Sequence, residues 1–369
     1  MAETKSPLLT KKENRDYLYD NMKAFLIISV VVGHFASGGT GAGFGVDAEL
    51  STLVTLLKKF IYVYHMPVFM IVSGRFAKSR INKDDWPKVI SKVLVPYLSA
   101  QILMLLLCCV VKDSILSKSF SFLNPLYGMW YMFNVAVYTI FTAKVKDKKW
   151  LFPVSLVVAL SVGFGLSILW GGFHRLVCYY PFFVFGYLTA NKSFDFCKKP
   201  WFRVLAVIAF VGLAYYVFTR GQYINYSLLS INKSYLYISK ATKTPMMRVF
   251  INAVGRYIMA FVFFFVILGI TPSKKTIFSY IGQHSVYVYI LHLFIVIALR
   301  NYDTDYKLLS HINTWWELGA YFGLTVVLSF ILASKPVRTV ARPFLAPDFD
   351  LERAAKKLVG LDKKETEAK

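Results

Sequence analysis

The sequence predicts an all-α membrane protein that crosses the bilayer about ten times, with both termini in the cytoplasm. Three observations support this fold class: the composition, the spacing of long apolar segments, and the placement of Lys and Arg. Of the 369 residues, 56% are hydrophobic and 17% are charged, whereas soluble domains carry about 25% charged residues. A composition of this kind is typical of a polytopic membrane protein.

Long apolar segments are the second observation. A hydrocarbon core of ~30 Å requires about 20 mostly apolar residues per helix, and ten segments approach this length. Their boundaries are residues 22–37, 52–75, 90–111, 125–143, 150–170, 175–190, 201–219, 248–270, 276–299 and 314–334. We therefore expect one membrane domain over residues 21–336, preceded by a polar leader (1–20) and followed by a basic tail (337–369).

The placement of Lys and Arg gives the orientation. With the N-terminus inside, about 30 of the 43 Lys and Arg fall on the cytoplasmic side, as the positive-inside rule requires. The formal net charge of +23 would suggest nucleic acid in a soluble protein. Here the apolar content favours loop charges that set topology, and membrane lipid as a partner of the tail. We expect a multi-pass protein of a cell membrane, and specifically of a bacterial plasma membrane.

The first predicted span, KAFLIISVVVGH, carries a cation at one end and a histidine at the other. Lys23 and His34 are eleven positions apart, which is three helical turns plus about 20° and about 16 Å of rise. Both side chains therefore share one face of the helix. Such an arrangement suits a ligand that is anionic near the cytoplasm and reactive deeper in. The alternative is that Lys23 snorkels to headgroups while His34 bonds across helices.

Other histidines strengthen the functional alternative, because ionisable groups inside a bilayer normally face a cavity or a partner. His65 precedes Pro67, and a proline in a span frees a carbonyl that often lines a cavity. His292 lies among apolar residues and is the better functional candidate of the ninth span. His284 lies near the start of that span, where a capping or solvated role is expected.

Several further positions have two readings each. Arg175 opens the sixth span and either orients an acceptor or anchors a helix end. Arg256 lies within the eighth span and is either functional or paired with an acidic group. Trp130 and Tyr131 either stack on a sugar or belong to an interfacial aromatic belt. The polar segment 219–247 either covers an opening or is a plain connector.

Six segments follow one another along residues 20–300: DNMKAFLIISVVVGHF, YHMPVFMIVSGRF, KVISKVLVPY, MWYMFNVAVY, RLVCYYPFFVFGY and SVYVYILHLF. In this order they resemble acyltransferase family 3, and most closely its fucose 4-O-acetylase-like branch. Family members are membrane proteins, mostly of ten helices, that use acyl-CoA to O-acylate sugars or other hydroxyl compounds.

The resemblance implies roles for particular residues. Lys23 matches the basic residue of the family's first span, His34 its catalytic histidine, and His65 a second histidine motif. Arg75 follows the Ser-Gly pair of the second span. Family members often carry paired arginines before the third-span Pro-Tyr; here Lys92 matches one of them and no arginine matches the other. Lysine lacks the forked geometry of arginine, so the coenzyme contacts of this segment differ in detail.

These residues support one chemical scheme. His34 serves as general base for an acceptor hydroxyl, and the phosphates of acetyl-CoA bind Lys23, Arg75 and Lys92. Ser73, Gln283 or an imidazole are alternative donors to the thioester oxyanion. The resemblance implies an acetyl-CoA-dependent O-acetyltransferase acting on a polysaccharide or related hydroxyl acceptor. We expect His34 and His65 to be catalytic and the following residues to bind substrates: Lys23, Ser73, Arg75, Lys92, Arg175 and His292.

Two further expectations complete the prediction. No metal is expected, because the four cysteines have neither zinc spacing nor a secreted disulfide pattern. The alternative function is a transporter or flippase in which Lys23, His34 and His65 relay protons.

Overall fold

The computed structural model describes residues 17–37, 44–82, 94–111, 123–146, 148–165, 173–231 and 233–345. Within these ranges the chain forms helices and no β-strand, which confirms the all-α prediction. The α-helices are α1 (Leu18–Phe35), α2 (Ala48–Asn82), α3 (Val95–Val110), α4 (Trp130–Val145), α5 (Leu151–Gly165), α6 (Phe173–Leu188), α7 (Pro200–Arg220), α8 (Tyr226–Ser230), α9 (Tyr235–Thr242), α10 (Met246–Ile270), α11 (Ser279–Gln283), α12 (Ser285–Tyr306), α13 (Trp315–Ala333) and α14 (Lys335–Leu345).

In its described residues, each of the ten predicted apolar segments overlaps a helix: α1 to α7, α10, α12 and α13; the ninth segment also contains α11. In the described part of the chain, six of them are long and apolar enough to cross a membrane, namely α1, α2, α7, α10, α12 and α13. The multi-pass architecture is thereby confirmed. The number of about ten crossings and the cytoplasmic termini remain predictions, as do the domain boundaries, since residues 1–16 and 346–369 lie outside the described ranges.

The longest helix, α2, packs directly on α6. A Cβ atom at Gly74 of α2 would collide with the carbonyl oxygen of Phe183, and one at Gly186 of α6 with that of Ile71. Small residues let two backbones approach in this way. Pro67 lies inside α2 without ending it. The close contact between α2 and α6 fixes the position of the His65 segment relative to the start of α6.

Asn21, in the first turns of α1, ties that helix to the connection between α10 and α11. Its Nδ2 donates to the carbonyls of Pro272 at 2.7 Å and Lys274 at 2.8 Å. Its Oδ1 accepts from the Ser279 hydroxyl at 2.5 Å and from the Thr276 hydroxyl at 2.8 Å. With all these groups satisfied, α1 is held beside the segment that leads into α12, the helix that carries His292.

We call the end of the bundle where α1 begins the Lys23 end, and the end where α1 finishes the His34 end. At the His34 end, the predicted loop 219–247 contains two short helices, α8 and α9. Side chains cap both of them: Asn225 accepts from the Ser227 amide, and Ser234 accepts from the Tyr237 amide. The segment is therefore ordered structure that can shape a cavity.

Candidate active site

A cavity of about 230 Å³ opens at the His34 end of the bundle. Its walls come from α1, α2, α6, α8 and α12, together with the turn before α4. His34 and His65 line it, as do Arg175 and Arg300. The structure thus brings together both predicted catalytic histidines and one predicted binding arginine.

The central feature of the site is a pair of histidines. The Nδ1 atom of His34 lies 3.0 Å from Nε2 of His292. His292 is fully buried, and its own Nδ1 lies 2.8 Å from the carbonyl oxygen of Val288. A carbonyl can only accept, so His292 carries its proton on Nδ1 and, when neutral, has a lone pair on Nε2.

This lone pair fixes the tautomer of His34. It accepts the Nδ1 proton of His34, so that neutral His34 holds its own lone pair on Nε2. His34 is half-buried at the cavity wall, whereas His292 lies behind it. The arrangement therefore presents a proton acceptor to the cavity, and His292 acts through His34 as a positioning residue.

His65 is held in a similar way. Its Nδ1 donates to the carbonyl oxygen of Ile61, one turn earlier in α2, at 2.7 Å. Its ring packs edge-on against Tyr62 at 4.7 Å between centroids. A neutral His65 anchored through Nδ1 also carries its lone pair on Nε2, which suits it to accept a hydrogen bond from a bound hydroxyl.

Two arginines give the cavity a positive character. The guanidinium of Arg175 stacks over Trp130 at 5.1 Å, and its Nε donates to the Ser230 carbonyl at 3.2 Å. The guanidinium of Arg300 donates to the Tyr127 hydroxyl at 2.6 Å. No described carboxylate lines this cavity. Sequence reasoning missed Arg300 because it follows the predicted end of the ninth span, where a charge is ordinary.

The predicted coenzyme-binding residues lie apart from this cavity. Lys23 forms an ion pair with Asp20 at 3.0 Å and lies over the Phe76 ring at 5.0 Å. Arg75 donates to the carbonyls of residues 189, 190 and 192, just beyond the end of α6, and so caps that helix. Gln283 also lies at the Lys23 end, 3.4 Å from Asp20. Lys92 lies outside the described residues.

Ser73 begins a chain of contacts that runs through two tyrosines towards the histidine cavity. Its hydroxyl lies 2.6 Å from that of Tyr131, whose ring packs on Tyr289 at 5.1 Å. Tyr289 lines the histidine cavity and packs against His292.

Arg80, which the sequence analysis did not select, lies near Tyr131, and its buried Nε has no hydrogen-bond partner among the described residues. Only its position five residues after Arg75 could have drawn attention to it.

His284 lies in the turn between α11 and α12, outside the candidate membrane spans. Partial burial, together with the nearby charges of Arg338 and Lys23, lowers the pKa of its imidazole to about 4, and Asp20 opposes this shift. His284 is therefore neutral in the folded protein at physiological pH. It packs against Tyr280 at 4.8 Å and does not line the histidine cavity.

Comparison with known proteins decides the family. A family model described as an acyltransferase domain, Acyl_transf_3, matches residues 16–334. The chain belongs to acyltransferase family 3. The histidine cavity thus lies within the domain that defines this family. The match is to the family as a whole, and the fucose 4-O-acetylase-like branch remains a prediction.

Among curated proteins, this family 3 member is similar to nodulation protein NolL of Sinorhizobium fredii. The two are 28% identical over 195 residues, which cover 48% of this chain and 50% of that protein. The chain thus matches about half the length of this relative. No solved structure matches the chain significantly.

Proposed function

We propose that the protein is a membrane O-acyltransferase that moves an acetyl group from acetyl-CoA to a hydroxyl of a surface glycan or a related acceptor, with His34 as general base. Family membership supports the acyltransferase class. The choice of base rests on one observation, the hydrogen bond between His34 Nδ1 and His292 Nε2. Because His292 is anchored to a backbone carbonyl, this bond leaves a lone pair of His34 at the cavity.

The proposed reaction is a direct transfer. Nε2 of His34 removes the proton of the acceptor hydroxyl, and the oxygen attacks the thioester carbonyl. The tetrahedral intermediate collapses, the carbon–sulfur bond breaks, and the coenzyme thiolate takes the proton back from His34. During this cycle His34 is an imidazolium whose Nδ1 proton is held by neutral His292, a stronger hydrogen bond than the neutral pair makes.

The oxyanion of the intermediate requires a donor in the cavity. Arg175 is the best-placed candidate, because it lines the cavity and its packing on Trp130 and bond to Ser230 hold it in place. Ser73 does not line the cavity; its hydroxyl is bonded to Tyr131. We therefore assign the oxyanion role to Arg175 and propose that His65 accepts a hydrogen bond from the acceptor.

The coenzyme is proposed to enter from the Lys23 end. Basic groups gather there: Lys23, Arg75 and Arg80 among the described residues, and Lys92 by sequence. Arg75 is already bonded to three carbonyls and Lys23 to Asp20. Arg80 has hydrogen-bonding capacity left for a phosphate, since its Nε has no partner among the described residues.

Purified protein in detergent, supplied with acetyl-labelled acetyl-CoA and a panel of oligosaccharides, tests the proposal. We expect the label to appear on an acceptor hydroxyl and coenzyme thiol to be released in equal amount. Propionyl- and butyryl-CoA serve as matched donors, and a cavity of about 230 Å³ should favour the smallest acyl group. Transfer of the longer groups at equal rates would contradict the assignment of acetyl.

The transporter alternative makes a different prediction. A proton-coupled transporter would move substrate across proteoliposomes in response to a pH gradient and without any coenzyme. The acyltransferase should label its acceptor in detergent, where no gradient exists. Gradient-driven flux combined with no binding of acetyl-CoA would replace the proposed function with the alternative.

A further inference from the structure

A second, larger cavity of about 1110 Å³ lies at the His34 end, between α7 and α10. It is separate from the histidine cavity, and the single turn of α8 divides the two. Tyr226 and Ser230 of α8 line the histidine cavity, while Leu228 and Leu229 line the second one. We call this second cavity the arginine groove.

Three arginines line the groove: Arg220 at the end of α7, and Arg248 and Arg256 in α10. No carboxylate of the described residues lines it or pairs with these arginines. Arg256 is 8% exposed; its guanidinium lies over the Tyr257 ring at 4.3 Å, and its Nη1 has no hydrogen-bond partner in the described part of the chain. A buried cation with unused donors is costly in a membrane protein, so an anionic ligand would be strongly favoured there.

The directions of the two helices bear on how these side chains enter the groove. Helical side chains lean towards the N-terminus of their own helix. α7 ends at this end of the bundle and α10 begins here. This tendency favours Arg220 pointing towards the middle of α7 and Arg256, about 12 Å from Arg248 along α10, pointing towards the His34 end. All three arginines line the same groove.

The deeper part of the groove is apolar. Leu213 lies about 10 Å from Arg220 along α7, and Met259 lies about 16 Å from Arg248 along α10, both towards the Lys23 end. These two residues line the groove together with Val63. Only 11% of the residues in the most apolar stretch of α7 are buried within the protein. The outer side of α7, and with it one side of the groove, therefore faces the lipid phase. The groove thus has cations at the His34 end, apolar side chains towards the Lys23 end and an open side that faces lipid. These features match the charged headgroup and the apolar chain of an amphiphile.

We propose that the arginine groove binds a membrane lipid through its anionic phosphate headgroup, with an acyl or prenyl chain lying against α7. Guanidinium groups bind phosphate oxygens through paired, charge-assisted hydrogen bonds. The unpartnered donor of Arg256 supplies one of them, and the exposed arginines at the rim supply the rest. This site is independent of acyl transfer, since none of its three arginines lines the histidine cavity.

Titration of detergent-solubilised protein with phosphatidylglycerol, followed by native mass spectrometry, tests the proposal. The wild type should retain one phosphatidylglycerol with a preference over zwitterionic phosphatidylcholine. The double variant Arg220→Gln/Arg248→Gln should weaken that binding at least about tenfold. Both residues are exposed, so this variant should fold. Arg256→Gln tests the buried donor, with Arg256→Lys retaining its charge.

The matched control removes two charges from the opposite end of α7. Lys199→Gln/Arg203→Gln lowers the net charge by the same amount at exposed positions and should leave phosphatidylglycerol binding unchanged. An equal loss of phosphatidylglycerol binding in this control would show that only the overall charge matters and would overturn the proposed site. Equal affinity for the two lipids would also overturn it. Inorganic phosphate that competes as well as the lipid does would identify a simple anion site and contradict the lipid assignment.

Discussion

Replacing His292 by phenylalanine should slow acyl transfer without weakening coenzyme binding. The change removes the acceptor that holds the Nδ1 proton of His34. That bond is worth about 0.5–1.5 kcal/mol while both rings are neutral and about 1.5–3 kcal/mol once His34 is charged. The transition state therefore loses about 1–1.5 kcal/mol more than the ground state. At 1.36 kcal/mol per factor of ten, kcat should fall at least about five- to tenfold.

The variant also no longer fixes the tautomer of His34, which adds to this loss. When the proton of neutral His34 is on Nε2, that atom has no lone pair with which to accept a proton in the cavity. The assay measures kcat and KM for acetyl-CoA in the wild type and in His292→Phe. His292→Gln is the control, since its side-chain carbonyl can accept the same proton and should recover part of kcat. An unchanged kcat in a folded phenylalanine variant would refute the reasoning. So would equal losses in both variants, since these would show that packing and not the hydrogen bond matters.

Three further changes test the fold and the other assignments. Gly186→Ala forces α6 away from α2 and should lower the free energy of unfolding by about 1–3 kcal/mol, whereas Gly212→Ala, which meets no atom within 4 Å, should not lower the melting temperature. Arg75→Gln removes the cap of α6 and should lower the melting temperature more than the affinity for acetyl-CoA; the reverse order would restore it as a coenzyme ligand. His284 takes up a proton near pH 6.5 when unfolded but at about pH 4 when folded, so the unfolded chain binds more protons in that window and stability falls as pH drops through it. His284→Gln should reduce this fall, and an identical pH dependence in the variant would show that His284 stays accessible in the folded protein.

Hydropathy and charge were sufficient to place the helices. Each of the ten apolar segments contains a helix in its described residues, because a run of apolar residues in a membrane has few alternatives to a helix. Helical phase predicted that Lys23 and His34 share one face towards one ligand; His34 lines a cavity, whereas Lys23 lies apart from it. Periodicity along one helix is a local property, and the sequence reports it directly.

Contacts between distant helices could not be predicted. His34 and His292 are 258 residues apart, and nothing in either span shows that they form a pair. Arg75 was assigned to phosphate binding from its charge, yet its guanidinium caps α6 through carbonyls that no sequence pattern marks. The helices of 219–247 were missed because five- and eight-residue elements carry little periodic signal.

The central claim is that His34 removes the acceptor proton. It is tested most directly by comparing wild type and His34→Gln for two quantities, the affinity for acetyl-CoA and the rate of acetyl transfer. The account predicts an affinity within a few-fold of wild type and a transfer rate lower by about 10²–10⁴-fold, the usual contribution of a general base. A variant that binds the coenzyme and transfers acetyl at the wild-type rate would contradict it.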